Sequence, residues 1–158
     1  MFLRNITRLP LLLLAALPAT AGNNLLLNGN FAAGKAHWEG GPGEIVRESG
    51  DPELVLRDRS TTDAVYVISD RIPIDRASGY LLCGMIRSHG VSSAAKAYVQ
   101  VFDPADKRLA SFGSNGVSGD SDWVGLKLRI APEQWPPNAA AVRISLQPAT
   151  GAATPPST

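Results

Sequence analysis

The sequence predicts an all-β fold, a sandwich or jelly roll of short strands, and three observations carry that prediction. No window between Asn24 and Gln147 sustains a helical period, whereas many alternate apolar and polar residues with a period of two. β-Branched residues are plentiful in those runs, as expected where a side chain stands on a half-buried pleated surface. The runs are separated by turn chemistry and by no helical segment: Gly40-Gly41-Pro42-Gly43, Ser49-Gly50-Asp51-Pro52, Ser78-Gly79, Asp103-Pro104, Ser114-Asn115-Gly116 and Pro136-Pro137-Asn138.

The chain opens on an export signal, expected over residues 1–21. Arg4 and Arg8 form a basic start, Leu9 to Leu17 is apolar apart from Pro10, and Ala19-Thr20-Ala21 places small residues at the cleavage position. The apolar run is shorter than the roughly 20 residues a stable membrane span needs. The expected product is secreted or periplasmic, with the domain over 22–148 and an Ala/Thr/Pro-rich disordered tail over 149–158.

Asn24-Leu25-Leu26-Leu27 reads as a short apolar strand ended by the Asn28-Gly29 turn signal, with Phe31 and Trp38 as two large rings close behind it. Glu53–Asp58 puts Leu54 and Leu56 on one face, and Ala64–Ser69 puts Val65 and Val67 opposite Tyr66 and Ile68. Tyr80–Ser88 starts apolar on both faces, the pattern of a covered central strand, and a turn is expected at Ser88-His89-Gly90. Lys96–Asp103 sets Val99 and Val101 against Tyr98, Gln100 and Phe102. Trp123–Ala131 turns Val124, Leu126, Leu128 and Ile130 inward. Ala140–Gln147 does the same with Val142, Ile144 and Leu146.

Charge and composition exclude several functions. With Arg4 and Arg8 removed, 13 basic residues face 14 acidic ones, a balance that offers nothing to nucleic acid or to an anionic membrane. Cys83 is the single cysteine, so no intramolecular disulfide is available and packing must carry stability. Its apolar surroundings read as a buried, inert thiol. No nucleophile elbow, metal-ligand spacing or phosphate loop is present. His37 and His89 read as solvated or capping residues, and Asp103/Asp106 and Asp120/Asp122 as turn caps rather than an acid–base pair. The chain is therefore expected to be no enzyme and to hold no cofactor or metal.

The residues Asn24-Leu25-Leu26-Leu27-Asn28-Gly29-Asn30-Phe31, followed by Trp38, resemble the opening of carbohydrate-binding modules of the xylanase- and cellulase-associated jelly-roll type, within the galactose-binding-domain-like fold. Ile72-Pro73-Ile74 with Gly79-Tyr80-Leu81 is similar to the middle loop and strand of such modules. Asp103 to Leu109 is similar to their central hairpin, and Trp123, Ala131-Pro132 and Ala140 to Ile144 to their penultimate strands. The likeness covers Asn24 to Gln147 and implies a jelly roll that binds a polysaccharide without cleaving it, with Trp38 and Trp123 in the core. Two positions depart from the pattern. Ala32 stands where the family usually has a calcium-binding Glu, and the usual closing strand with Asp-Asp is absent after Leu146. Calcium prefers several charged oxygen ligands, so no metal site is expected. The missing strand implies an open edge at Asn24–Leu27, available to a protein partner or to self-association.

A sugar ring stacks its apolar face on an aromatic ring and offers hydroxyls to planar polar groups. Trp135 sits in the polar, proline-rich loop Pro132–Asn138, where it reads either as an exposed platform served by Glu133, Gln134 and Asn138, or as a plug folded into one end of the sandwich. Tyr66, Tyr98 and Gln100 form a second candidate set, on the sheet face such modules use for glycans; core packing is the competing role of the two tyrosines. The alternative function is a structural or protein-interaction β-sandwich of the cell envelope, with no glycan ligand.

Overall fold

The computed structural model describes residues 2–4, 24–47, 50–57 and 65–148. The rest of the expected export segment with its cleavage position, the ends of the runs at Asp58 and Ala64, and the tail over 149–158 lie outside the described residues. The fold is an all-β sandwich, with one 3₁₀ turn at Pro132–Gln134 and no α-helix among the described residues. None of these residues forms a helix long and apolar enough to cross a membrane.

Two antiparallel sheets share one long strand. Sheet A runs in the order β3 (Glu44–Val46), β4 (Glu53–Val55), β1 (Phe2–Arg4), the first part of β7 (Tyr80–Phe102) and β9 (Val117–Ile130). Sheet B runs β2 (Trp38–Glu39), β5 (Val67–Ser69), β10 (Ala141–Gln147), the second part of β7 and β8 (Arg108–Gly113). The short β6 (Ile72–Pro73) also pairs with β10. β7 pairs with β9 from Tyr80 to Ala95 and with β10 from Lys96 to Phe102, so it turns the corner between the sheets. Its register to β9 shifts three times between Ile86 and Ala95, beside Gly90 at φ +62° and opposite Gly119 at φ +66°. Such bulges bend a strand and sharpen its twist, which lets it serve both layers. The turn expected at Ser88-His89-Gly90 is therefore a bulged stretch of continuous strand.

Alternation puts one face of each strand into the core. Val99 and Val101 of β7, Val142, Ile144 and Leu146 of β10, Val67 of β5 and Leu126 and Ile130 of β9 are buried together with Leu54, Leu56 and Ile86. Phe31 and Trp38 join them, their ring centres 5.2 Å apart, and the Trp38 indole N–H donates to Asn28 O at 3.1 Å.

Three expectations are corrected. Asn24–Leu27 is not a strand. Leu26 enters the core, Leu27 is 55% exposed, and a series of turns runs from Leu27 to His37. Asn28 holds them: its Oδ1 accepts from Ala33 N–H (3.0 Å) and its Nδ2 donates to Gly34 O (3.0 Å) and Ala36 O (2.8 Å). The expected open strand edge at Asn24–Leu27 is thus replaced by a turn cluster. Trp123 is only partly buried and lies outside the core, with the Arg87 guanidinium carbon 5.0 Å from its ring centre. Val124, expected to face inward, is 37% exposed.

Candidate functional site

The outward face of sheet B is built by the residues that alternate with the core set. Register places them in rows across the sheet. Ile68 of β5, Ser145 of β10, Tyr98 of β7 and Gly113 of β8 form one row. Arg143, Gln100 and Ser111 form the next, and Gln147 and Lys96 pair on the other side. The β10–β5 register continued by one step brings Tyr66 beside Gln147. Three sequence-selected residues, Tyr66, Tyr98 and Gln100, therefore share one face, spread over neighbouring strands.

Local sequence fixes how these side chains lie. A Cβ on Gly113 would stand 3.2 Å from Tyr98 Cε1 and 3.5 Å from its Cδ1, so the ring lies across the bare backbone of β8. Lys96 runs alongside, its aliphatic stem resting on Gly116. Tyr66 is 42% exposed at the margin of the face. Its backbone carbonyl touches the Gly40-Gly41 turn so closely that a Cβ on Gly41 would sit 2.6 Å from it. Gly40, at φ +94°, is equally confined. Ser145 is fully buried beneath its neighbours and accepts a hydrogen bond from Gln147 Nε2 at 3.0 Å. Arg143 is held by Ser69 O (2.9 Å from Nε) and by an ion pair with Glu39. Among the described residues, the Gln100 amide and the hydroxyls of Tyr66 and Tyr98 make no hydrogen bond. Ring faces, a planar amide and hydroxyls therefore stand together on one surface, with a charge pair at its border.

Trp135 is not part of such a surface. It is 8% exposed, its indole N–H donates to Ser78 O at 2.9 Å, and its ring meets Tyr80 and Phe112 edge-on at 5.6 and 6.3 Å. It plugs one end of the sandwich, which corrects the platform reading. Gln134 is occupied locally, its Oε1 accepting from Ala131 N–H at 2.8 Å. Glu133 and Asn138 are exposed on the same loop, with no open aromatic face between them.

A second concavity of about 420 Å³ lies beside the Asn24–Leu27 stretch and the β5–β6 link. Leu25, Leu27 and Pro73 line it, and at its rim His37 Nδ1 stands 2.7 Å from Asp70 Oδ2. From its sequence context His37 is expected to be solvated or capping. Its partner is 33 positions away, and only the antiparallel β2–β5 pairing brings the two together. Of the paired carboxylates Asp103 caps its own turn, Asp106 pairs with Arg71, and Asp120 and Asp122 lie within β9 rather than in a turn, which corrects that part of the reading. Asp103 Oδ1 accepts from the N–H groups of Ala105 and Lys107 at 2.9 Å each, and Asp120 Oδ1 accepts from Gly90 N–H at 2.6 Å. Among the described residues, no three His, Cys, Asp or Glu side chains gather as metal ligands. Cys83 is half-buried, and burial pushes its thiol pKa above the ordinary value, against a smaller opposing pull from Lys127.

No family model and no curated protein matches the chain. Among solved structures, it is similar to the enzymatically active domain of bacteriophage CBA120 tailspike protein 4, at 13% identity and a TM-score of 0.61. The match covers 80% of this chain and 19% of that one. At that identity and share the likeness establishes the all-β fold alone, and the activity of the tailspike domain stays with the tailspike.

Proposed function

We propose that this is an exported, non-catalytic glycan-binding β-sandwich whose ligand lies on the outward face of sheet B. The observation that carries the reading is Tyr98 laid across Gly113, with Gln100 one row away on the same face and Tyr66 exposed at its margin. Tyr98 offers an apolar ring to the C–H face of a sugar, while Gln100 and the tyrosine hydroxyls meet its hydroxyl groups. The resemblance of the opening residues to carbohydrate-binding modules supports the same reading.

Stacking on one or two rings with a few wet hydrogen bonds corresponds to affinities of roughly micromolar to millimolar, or about −8 to −4 kcal/mol. Calorimetry or affinity electrophoresis over soluble glucans, xylans and mannans tests the reading. The parent is expected to bind one class without releasing reducing ends, Tyr98→Ala to lose most of that binding, and Trp135→Phe to keep it. A folded parent that binds nothing across the panel overturns the glycan reading in favour of a protein-interaction sandwich. Release of reducing ends overturns its non-catalytic part.

A further inference from the structure

We propose that the concavity between the Asn24–Leu27 stretch and the β5–β6 link binds a small neutral ligand with an apolar body and one hydroxyl group. Its volume of about 420 Å³ falls inside the range of roughly 300–1,000 Å³ that ligand pockets occupy. Leu25, Leu27 and Pro73 give it apolar walls. Leu27 is the most exposed large apolar side chain among the described residues. A single exposed leucine is ordinary, but this one is a wall of a concavity, where a ligand can cover it.

The polar groups around the concavity define the ligand's character, because most of them are already engaged. Arg71 gives its guanidinium to the Asp106 carboxylate and to Asp103 O, so its charge is spent and an anion finds no free partner there. Ser69 Oγ donates to Asp70 O at 2.9 Å and accepts from Ile144 N–H at 2.8 Å. Asn24 Oδ1 accepts from Leu26 N–H at 3.1 Å. Two polar atoms of the lining keep no hydrogen-bond partner among the described residues, His37 Nε2 and Asn24 Nδ2. His37 is firmly placed. Its backbone stands at φ +68°, a left-handed conformation that a non-glycine residue keeps only where its surroundings hold it. Asp70 does the holding twice: its N–H donates to His37 O at 2.9 Å, and its Oδ2 lies 2.7 Å from His37 Nδ1. An ionised carboxylate only accepts, so Nδ1 carries a proton and Nε2 is the nitrogen left for a ligand. A hydroxyl suits Nε2 in either state of the ring, donating to the bare nitrogen or accepting from its N–H. A sugar ring would set unpaired hydroxyls against Leu25, Leu27 and Pro73, which is costly. The site therefore differs in chemistry from the outward face of sheet B and does not rest on the glycan reading.

The test titrates the isotope-labelled full chain by NMR with p-cresol and with p-xylene, which carries a methyl group in place of the hydroxyl. With p-cresol, saturable shifts are expected at the Leu25, Leu27, His37, Asp70 and Ile72 amides. p-Xylene is expected to bind roughly tenfold more weakly, as the loss of one hydrogen bond implies. His37→Asn removes the ring and installs a residue that tolerates the left-handed backbone. It is expected to weaken p-cresol roughly tenfold and to leave p-xylene within about twofold of the parent. Leu27→Ser alters an exposed wall and is expected to fold as the parent does and to weaken both ligands at least about threefold. That variant decides the question even where His37→Asn does not fold. Absence of saturable shifts at these amides, shifts centred on Tyr98 and Gln100 instead, or equal binding of the two ligands overturns the proposal. So does an equal loss of both ligands in His37→Asn, or parental binding of both in Leu27→Ser.

Discussion

The three tryptophans differ in environment, and each environment sets a different cost of truncation. Trp38 and Trp135 are 5% and 8% exposed, each with its indole N–H donated to a backbone carbonyl. Removing either ring costs about 3–5 kcal/mol, a large share of the ~5–15 kcal/mol that holds such a domain together. Trp38→Ala and Trp135→Ala are therefore expected to lower the melting temperature by roughly 10 °C or more. Trp123 lies half-open under Arg87, a contact worth about 0.5–1 kcal/mol beyond packing, so Trp123→Ala is expected to melt within a few degrees of the parent. Differential scanning calorimetry ranks the three. The place of Trp123 was legible in its own strand: with Val124 in the inward row, Trp123 belongs to the outward one, and only the family likeness argued for the core. Trp135 was not legible. Its loop is polar and proline-rich, as an exposed loop would be, and its hydrogen-bond partner Ser78 lies 57 positions away. At Cys83, burial disfavours the thiolate. Slow labelling by a thiol reagent near neutral pH is expected, accelerating as pH rises past the ordinary thiol range; rapid labelling at neutral pH contradicts it.

Period-two alternation was enough to assign the inner faces of β5 and β10, where Val67, Val142, Ile144 and Leu146 all reach the core. It failed along β7. Between Ile86 and Ala95 the register slips, and a bulge with a left-handed Gly90 carries the same local signature as a turn. Only pairing with β9, made by residues far along the chain, keeps this stretch extended. The Ser88 and Ser121 hydroxyls face each other at 3.0 Å across the slip, and Ser88 Oγ also reaches Gly119 O at 3.0 Å. Ladder bonds are interrupted there and intact on both sides. Hydrogen exchange by NMR is expected to show Ile86, Val99 and Val101 among the most protected amides, and His89 to Val91 exchanging at least tenfold faster, the factor that corresponds to about 1.4 kcal/mol of easier opening. Uniform protection from Tyr80 to Phe102 contradicts a bulged corner. The candidate site depends on the same strand, because the corner brings Tyr98 and Gln100 into sheet B. Tyr66, Tyr98 and Gln100 were recognisable from the sequence as one alternation class, whereas Gly113, which lets Tyr98 lie flat, was visible only once β8 was in register. Gly113→Val is accordingly expected to displace the ring and weaken glycan binding at least severalfold while the domain remains folded; unchanged binding places the ligand elsewhere.

At the scale of the molecule, sheet B is closed by continuous pairing from β2 through β5, β10 and β7 to β8, whereas sheet A depends on β1 to join β3–β4 to β7–β9. The two sheets therefore differ in what they lose when residues 1–21 are absent. In a chain that begins at Gly22, β4 has lost the ladder on its inner edge, and the β3–β4 pair is held to the body by side-chain contacts such as those of Ile45, Leu54 and Leu56, by the Glu53–Arg87 ion pair and by the Arg47 hydrogen bond to Ala32 O. Such a unit opens sub-globally at a free energy well below that of the whole domain. The amides of Ile45, Val46, Leu54 and Val55 are expected to lose protection in that chain, while Val99, Val101, Ile144 and Leu146 keep it. Melting should also begin at lower temperature. Added strand peptide should reverse both changes by mass action, by about 2.7 kcal/mol at a hundredfold excess over its dissociation constant. The cis strand needs no such excess, because its covalent link gives it a local concentration of about millimolar or more. Equal protection of β4 with and without residues 1–21 would contradict a sheet A that depends on β1.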